Sequence, residues 1–195
     1  YFGADLENAA IEKAKEAQSA GKLPKNMQFV SSADIGRPEI LIEGIENGGK
    51  DTQGSVMVVG NGFHEIRSQT NEKMIDVFKQ YCSAGITILF TEESGLSSDD
   101  LLNTGWNTYH AGFRYVHELS GQGLRPAIDK EDSLRYSWAK CAKEAGYIVL
   151  EKYSTRTRKI FPNPKENGHN PAISVNYFCV PLSIARELKL ERRSK

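Results

Sequence analysis

The sequence predicts an α/β fold built on a mostly parallel sheet that ends in an antiparallel C-terminal hairpin. Three apolar segments, residues 27–35, 55–60 and 86–93, alternate with segments whose apolar residues recur at helical spacing. Strands and helices in alternation are typical of parallel sheets. The last two apolar segments, residues 147–154 and 171–182, are separated by a loop without a helical pattern. They therefore indicate two antiparallel strands at one sheet edge.

Helices are predicted between these strands. Residues 6–20 are rich in Ala, Glu and Lys, which favours a surface helix. Residues 36–53 contain a proline and several glycines and predict a short helix or turn followed by a loop. Residues 70–85 form an amphipathic pattern with Thr70 as its candidate cap, and residues 130–146 predict a further helix. Residues 55–60 are continuously apolar, which predicts a strand buried on both faces.

Composition predicts one folded domain over residues 1–195, since 39% of the residues are hydrophobic and 26% are charged. Lys and Arg balance Asp and Glu at 25 each, so we expect no nucleic-acid partner. No segment approaches the roughly 20 apolar residues that span a membrane, so no membrane partner is expected. Three widely spaced cysteines are typical of reduced thiols and predict a cytoplasmic protein.

Two acidic residues follow predicted strands, where ligands bind to parallel sheets. In "YFGADL", Asp5 precedes a helix and can accept hydrogen bonds from both hydroxyls of a ribose, or it can cap that helix. In "SSADIG", Asp34 can accept from an exocyclic amine while Ile35 packs on a flat base. Asp34 can equally be an ordinary turn residue.

The stretch "VVGNGFHEIR" follows the third predicted strand. Gly60 and Gly62 permit close approach to the backbone, and Asn61 offers both a donor and an acceptor. His64 and Glu65 can supply a general base and the group that orients it. Alternatively, these two residues form the first turn of the next helix, where the helix dipole favours the carboxylate.

Residues 97–126 predict a helical insertion with an aromatic face. Its members fall at i, i+3, i+4, i+7 and i+11 and are Trp106, Tyr109, His110, Phe113 and His117. Such a stripe is usually core, but its position after a strand end also fits a lid over a substrate. The histidine spacing does not match the helical i, i+4 pair of zinc proteases, so no metal site is predicted.

The order of these elements resembles the class I S-adenosylmethionine-dependent methyltransferases over nearly the whole chain. "FGADLENAAIEKAKE" is similar to the family's second strand with its ribose-binding acid, and "MQFVSSADI" to the third strand with its adenine-contacting acid. "VVGNGFHEI" is similar to the fourth-strand motif, and its FHE stretch to small-molecule O-methyltransferases. "EAGYIVLEKYS" and "ISVNYFCVPL" resemble the final hairpin, whose reversed strand is a hallmark of the fold.

The resemblance implies a Rossmann-like methyltransferase fold and S-adenosylmethionine as cofactor. The cofactor-binding residues that it implies are Asp5, Leu6, Asp34, Ile35, Asn61, Gly62 and Phe63. The implied catalytic residues are His64 and Glu65, and the substrate-binding residues are Trp106, Tyr109, His110 and Phe113. The family's first strand and glycine-rich loop have no counterpart in this sequence. The resemblance therefore implies a fold lacking the first strand, with an N-terminal segment or domain of the parent protein as a partner.

The expected activity is methyl transfer to an oxygen or nitrogen of a small-molecule substrate. Positioning would supply most of the catalysis, with His64 as base, steadied by Glu65, Glu92 or Glu93. A non-catalytic binding or scaffolding domain is the alternative, because the glycine-rich loop is missing. A nucleotide-dependent oxidoreductase is disfavoured, because no G-x-G-x-x-G follows a strand.

Overall fold

The computed structural model describes residues 1–96, 107–129, 133–156 and 174–190, and only the backbone of residues 107–111. These residues contain six strands and six α-helices. The strands are β1 Phe2–Ala4, β2 Gln28–Val30, β3 Val56–Gly60, β4 Thr87–Glu93, β5 Tyr147–Val149 and β6 Ser174–Pro181. The helices are α1 Asn8–Ser19, α2 Pro38–Asn47, α3 Asn71–Ser83, α4 Asn107–Leu119, α5 Trp138–Glu144 and α6 Leu182–Glu187. Within the described part of the chain, none of the helices combines the length and the apolar composition of a membrane span.

The strands form two separate sheets. β1 and β2 pair in parallel, with Gly3 opposite Phe29. The second sheet has the order β3-β4-β6-β5, in which β3 and β4 are parallel and β6 is antiparallel to both of its neighbours. The α/β class and the antiparallel pairing of the last two strands are therefore confirmed.

The carboxyl ends of the strands in both sheets lie at the same edge of the molecule. A Cβ atom on Gly62, after β3, would lie 3.3 Å from the Ile35 side chain, after β2. A Cβ atom on Gly36 would lie 3.2 Å from Ile66. The Tyr81 hydroxyl of α3 also donates a hydrogen bond to the Ile35 carbonyl at 3.1 Å. The two sheets thus run in the same direction, and the loops that follow their strands meet.

Helices cover one face of the second sheet, whereas on the other face the side chains of β3 and the adjoining part of β4 are exposed among the described residues. On the covered face, Phe90 of β4 packs in a core with Phe78 of α3 and Trp138 of α5. On the other face, Val56, Val58 and Leu89 have exposed fractions of 60%, 74% and 37%. The prediction that residues 55–60 are buried on both faces is wrong, because the described helices cover only one face of β3.

Two helices among the described residues begin at a hydroxyl cap. Thr70 caps α3 as predicted, since its side chain accepts a hydrogen bond from the Lys73 backbone N–H at 3.1 Å. Ser137 caps α5 in the same way, accepting from Lys140 N–H. The helix predicted over residues 130–146 therefore begins later than its apolar pattern suggests, because this cap fixes its start.

Two other predicted elements also differ in extent. The strand predicted over residues 147–154 ends at Val149, because Glu151–Tyr153 form a 3₁₀ turn. Of the predicted insertion, residues 97–106 lie outside the described residues, and α4 supplies its described helix.

Arg125, in the segment after α4, is fully buried and joins the starts of α3 and α5. Its guanidinium donates to Asn71 Oδ1 and the Thr70 carbonyl, both at 2.8 Å, and to the Tyr136 carbonyl at 3.0 Å. The guanidinium carbon also lies 5.6 Å from the centroid of the Trp138 ring. One buried cation thus fixes three segments that are far apart in sequence.

Replacement of Arg125 by methionine should lower the free energy of unfolding by about 1–3 kcal/mol, because it leaves buried carbonyl groups without donors. The matched control is Arg135→Met, since Arg135 pairs with the partly exposed Glu118 at 2.7 Å. A surface pair of that kind contributes about 1 kcal/mol or less. Urea denaturation followed by circular dichroism measures both variants. Equal losses of unfolding free energy in the two variants would contradict the role of Arg125 in joining the starts of α3 and α5.

Candidate functional site

A cavity of about 1290 Å³ lies between the two sheets and reaches the carboxyl ends of β1 and β3. Six residues predicted from the sequence line it, namely Asp5, Leu6, Asp34, Ile35, Gly62 and Glu65. The cavity is larger than the roughly 300–1,000 Å³ typical of small-molecule sites. Its size follows from its length, since it extends from Tyr1 and Ser55 at one end of the strands to Asp5 and Gly62 at the other.

Asp5 and Asp34 each stabilise a turn at the end of a strand. Asp5 Oδ1 accepts from Glu7 N–H and Asp34 Oδ1 from Gly36 N–H, both at 2.8 Å. The N-cap position of α1 is Glu7, so Asp5 is not the cap of that helix. Each turn uses one carboxylate oxygen, which leaves the second oxygen able to accept a hydrogen bond from a ligand.

The FHE stretch forms a single 3₁₀ turn, Phe63–Glu65, well before α3 begins at Asn71. The alternative that His64 and Glu65 start the next helix is therefore wrong. Asn61 enters this turn in the left-handed conformation with φ of 53°, which asparagine tolerates better than most residues. The Asn61 backbone N–H donates to the Thr91 carbonyl of β4 at 2.8 Å.

Phe63 belongs to the core. Its ring is fully buried, and its centroid lies 4.8 Å from that of Phe78 and 5.2 Å from that of Phe90. The ring does not line the cavity. The Phe63 ring is therefore not available for the predicted cofactor contact. The backbone N–H of Phe63 donates a hydrogen bond to Glu92 Oε1 at 2.5 Å.

His64 is held between two carboxylates. Its Nδ1 atom lies 2.7 Å from Oε2 of Glu92, which is fully buried, and its Nε2 atom lies 3.1 Å from Oε1 of Glu65, which lines the cavity. A carboxylate only accepts hydrogen bonds, so Nδ1 carries a proton and donates it to Glu92. The His64 side chain itself is 6% exposed and stands behind Glu65.

Gln69 fixes the backbone of the same turn. Its side-chain amide donates to the Phe63 carbonyl at 2.9 Å and to the His64 carbonyl at 3.1 Å. Gln122 reaches the site from the segment after α4 and donates to the Glu65 carboxylate. Neither residue could be identified from the sequence, because glutamines at these positions match no motif.

The surroundings of His64 shift its pKa in opposing directions. Burial by itself lowers the pKa, but the hydrogen bond and charge of Glu92, together with the charges of Glu65 and Glu93, raise it above its usual value of about 6.5. The protonated imidazole is thus favoured in the folded state. Its contribution to stability is complete below about pH 6.5 and is lost as the pH rises through the raised pKa.

The aromatic helix α4 lies beside His64. His117 is buried, and its Nδ1–H donates to the Phe113 carbonyl at 2.7 Å. The His117 ring centroid lies 5.2 Å from that of His64 and 4.0 Å from that of Phe113. Phe113 thus contacts His117 and does not line the cavity. Trp106 lies outside the described residues, as do the side chains of Tyr109 and His110, so their substrate roles stay predictions.

Solved structures show which fold this arrangement belongs to. The chain is similar to the 1.95 Å crystal structure of a candidate methyltransferase from Thermobifida fusca YX, with a TM-score of 0.57 and 12% sequence identity. The alignment covers 92% of this chain and 62% of that structure. The chain has a methyltransferase fold. This chain thus spans less than two thirds of the length of that structure, and no protein-family model or curated protein sequence matches it.

Two further structures are similar at lower scores. One is PigF with SAH, with a TM-score of 0.48, 10% identity, and coverage of 93% of this chain and 48% of that one. The other comes from work on the conversion of a disulfide bond into a thioacetal group during echinomycin biosynthesis. Its TM-score is 0.42 and its identity 14%, with coverage of 100% of this chain and 72% of that one.

Replacement of Glu92 by glutamine should lower the pKa of His64, because the substitution removes the buried negative charge beside Nδ1. The matched control is Glu65→Gln, which removes the exposed carboxylate beside Nε2 and should lower the pKa by less, since solvent screens that charge. NMR titration of the His64 imidazole measures both changes without a substrate. An equal or larger effect of Glu65→Gln would contradict the assignment of Glu92 as the principal partner.

Proposed function

We propose that this chain is a class I S-adenosylmethionine-dependent methyltransferase domain that acts on a hydroxyl or amine of a small-molecule acceptor. The observation that carries the proposal is the buried pair of His64 and Glu92 at the same edge of the molecule as Asp5 and Asp34. The methyltransferase fold supports it. An oriented imidazole near a cavity with two carboxylates combines a proton acceptor with groups that bind hydroxyls and amines.

The residues on the cavity suit the proposed cofactor in their chemistry. Asp5 offers a carboxylate oxygen to the ribose hydroxyls, and Asp34 offers one to the amine of the adenine. Leu6 and Ile35 supply apolar surface for the base, as small-molecule sites do around a few polar groups. When bound, S-adenosylmethionine supplies an electrophilic methyl group. Among the predicted contacts, the ring of Phe63 does not fit this role, because it is buried in the core.

His64 is proposed to accept the proton of the attacking hydroxyl. Glu92 holds Nδ1–H, so the tautomer leaves Nε2 as the basic atom, and Nε2 points toward Glu65 on the cavity wall. An acceptor hydroxyl would reach Nε2 by displacing the Glu65 carboxylate. Because the base must be neutral and its pKa is raised, activity should increase as the pH rises through that pKa.

A non-catalytic binding domain is the second candidate. The feature that favours it is the separation of β1 from β3, which leaves Asp5 and Gly62 on two sheets that share no strand pairing among the described residues. A domain of this kind could keep the fold while Asp5, on the proposed ribose side of the cavity, and His64 stay too far apart for catalysis. Cofactor binding separates the two candidates.

Titration with S-adenosylhomocysteine in a calorimeter should show binding that Asp5→Ala weakens by about 10- to 100-fold, the loss expected for a hydrogen bond to a charged group. The control is Glu7→Ala, which removes a neighbouring carboxylate that does not line the cavity. Absence of binding to the unaltered chain would favour the non-catalytic domain. Equal affinities of Asp5→Ala and the unaltered chain would show that Asp5 does not bind the ribose.

Replacement of His64 by alanine should lower kcat by about 10²–10⁴-fold, the range for loss of a general base. The affinity for S-adenosylhomocysteine should stay the same, because His64 does not line the cavity. Single-turnover transfer to a hydroxyl acceptor that the unaltered protein methylates measures the effect at saturating cofactor. If the rate of His64→Ala stays within about twofold of that of the unaltered protein, the loss is far below the range for a general base. Positioning would then be the source of catalysis.

A further inference from the structure

Two basic side chains stand together on the wall of the cavity near His64. Arg67 follows the turn that carries His64 and Glu65, and Lys73 lies in the first turn of α3. Both basic residues line the cavity. The Lys73 ammonium donates to the Arg67 carbonyl at 2.6 Å, so the two residues are neighbours. We call Arg67 and Lys73 the basic pair.

The basic pair has no acidic partner among the described residues. No ion pair in that part of the chain contains either Arg67 or Lys73. Arg67 joins the fold through its backbone, which pairs with that of Gln122. The Lys73 ammonium has three N–H groups, and its bond to the Arg67 carbonyl uses one of them. Several donors of the basic pair are therefore available to a ligand.

Stability of the fold does not account for these two charges. Lys73 is the third residue of α3, and the dipole of a helix disfavours a cation at this end. Two neighbouring cations also repel each other. An anion bound between them would remove both disadvantages, so their placement favours a binding role.

The carboxylates that line the cavity, in contrast, are already engaged. Among the described residues they are Asp5, Asp34, Asp51 and Glu65. The two aspartates that follow β1 and β2 each accept from a backbone N–H of their own turn. Asp51 accepts from Gln53 N–H at 2.9 Å, and Glu65 is held by His64 and Gln122. The acidic groups thus have partners within the chain, whereas the basic pair does not.

One wall of the cavity connects the basic pair with the candidate base. His64 Nε2 lies 3.1 Å from the Glu65 carboxylate, Gln122 donates to the same carboxylate, and the backbone of Gln122 pairs with that of Arg67. Glu65 and Arg67 are separated by one residue, the buried Ile66, so their Cα atoms are at most about 7 Å apart. A small molecule whose hydroxyl reaches Nε2 can therefore also reach the basic pair.

The chemistry of the basic pair suits a carboxylate. A guanidinium binds a carboxylate or a phosphate through two parallel hydrogen bonds, and an ammonium adds a point charge. The negative charge of Glu65 beside the pair opposes a phosphate dianion more strongly than a carboxylate. Apolar surface for the rest of the molecule comes from Ile35 and Val59, which line the cavity close to Gly62.

We propose that the basic pair binds a carboxylate of the methyl acceptor. The acceptor is then a small molecule with an apolar body that carries both a carboxylate and the hydroxyl or amine to be methylated. This inference deepens the proposed function and rests on it, because it takes the bound molecule to be the acceptor. The carboxylate takes no part in the bond changes and positions the acceptor beside His64.

Calorimetric titration with ortho-, meta- and para-hydroxybenzoate tests the proposal. Each acid is compared with its amide, which has nearly the same shape but no charge. At least one acid should bind about tenfold more tightly than its amide, the gain expected from charge-assisted hydrogen bonds at a partly solvated site. Arg67→Gln and Lys73→Gln should each remove most of that difference and leave the affinity for the amide unchanged. If none of the three acids binds more tightly than its amide, the proposal is wrong.

The matched controls are Arg37→Gln and Lys50→Gln, because these two cations also line the cavity. Arg37 pairs with Glu39 at 3.0 Å. Lys50 lies at the opposite end of the strands, since a Cβ atom on the nearby Gly48 would lie 3.0 Å from the ring of Phe2, where β1 begins. Neither control should change the preference for the acid. Equal losses in the controls would assign the preference to overall charge and overturn the role of the basic pair.

Two further comparisons separate the alternatives. Tighter binding of phenyl phosphate than of benzoate would overturn the choice of a carboxylate. A preference for the acid in a chain that does not bind S-adenosylhomocysteine would support the anion site and overturn the proposed function. Binding of S-adenosylhomocysteine without any preference for the acid would overturn only the present inference.

Discussion

The candidate site depends on the hydrogen bonds that the Glu92 carboxylate accepts. It is fully buried at the end of β4 and accepts from Phe63 N–H and His64 Nδ1–H, both in the turn that follows β3. A buried carboxylate is unfavourable unless hydrogen bonds satisfy it. The same two bonds that satisfy Glu92 therefore fix the course of the chain after β3 and the tautomer of His64. One side chain thus fixes both the backbone turn after β3 and the orientation of the imidazole.

The supports around this turn come from distant parts of the sequence. Gln69 holds the carbonyl side of the turn, and Arg125 binds the Thr70 carbonyl directly after it. His117 of α4 packs against the imidazole from another direction. An imidazole that is constrained on several sides has little freedom to rotate, and the proposed role of His64 as a general base requires such a fixed orientation. Contacts from several segments thus hold the His64 side of the candidate site in place.

The Asp5 side of the cavity is constrained differently. Asp5 and Asp34 stand on turns of the smaller sheet, which reaches the larger one through contacts of Ile35 and Gly36 and not through strand pairing. No strand pairing among the described residues therefore joins the two halves of the candidate site.

Local sequence patterns were enough to predict the elements that are stabilised by residues close in sequence. The Thr70 cap, the apolar period of α3 and the apolar run of β4 depend on residues close in sequence. The antiparallel pairing of β5 with β6 followed from the lack of a helical pattern between the two segments. The placement of Asp5 and Asp34 after strands also follows from sequence, because strand ends of a parallel sheet share one edge.

Tertiary structure alone decided the rest. The exposure of Val58, the burial of the Phe63 ring and the choice of Glu92 over Glu65 as the buried partner of His64 each depend on which distant segments pack nearby. The sequence pattern of a continuous apolar run is the same whether or not a helix covers the strand. An FHE stretch likewise does not reveal which of its rings enters the core. The sequence by itself therefore determined the class of fold and the edge that carries the candidate site. Packing between segments far apart in the chain decided which side chains reach the cavity.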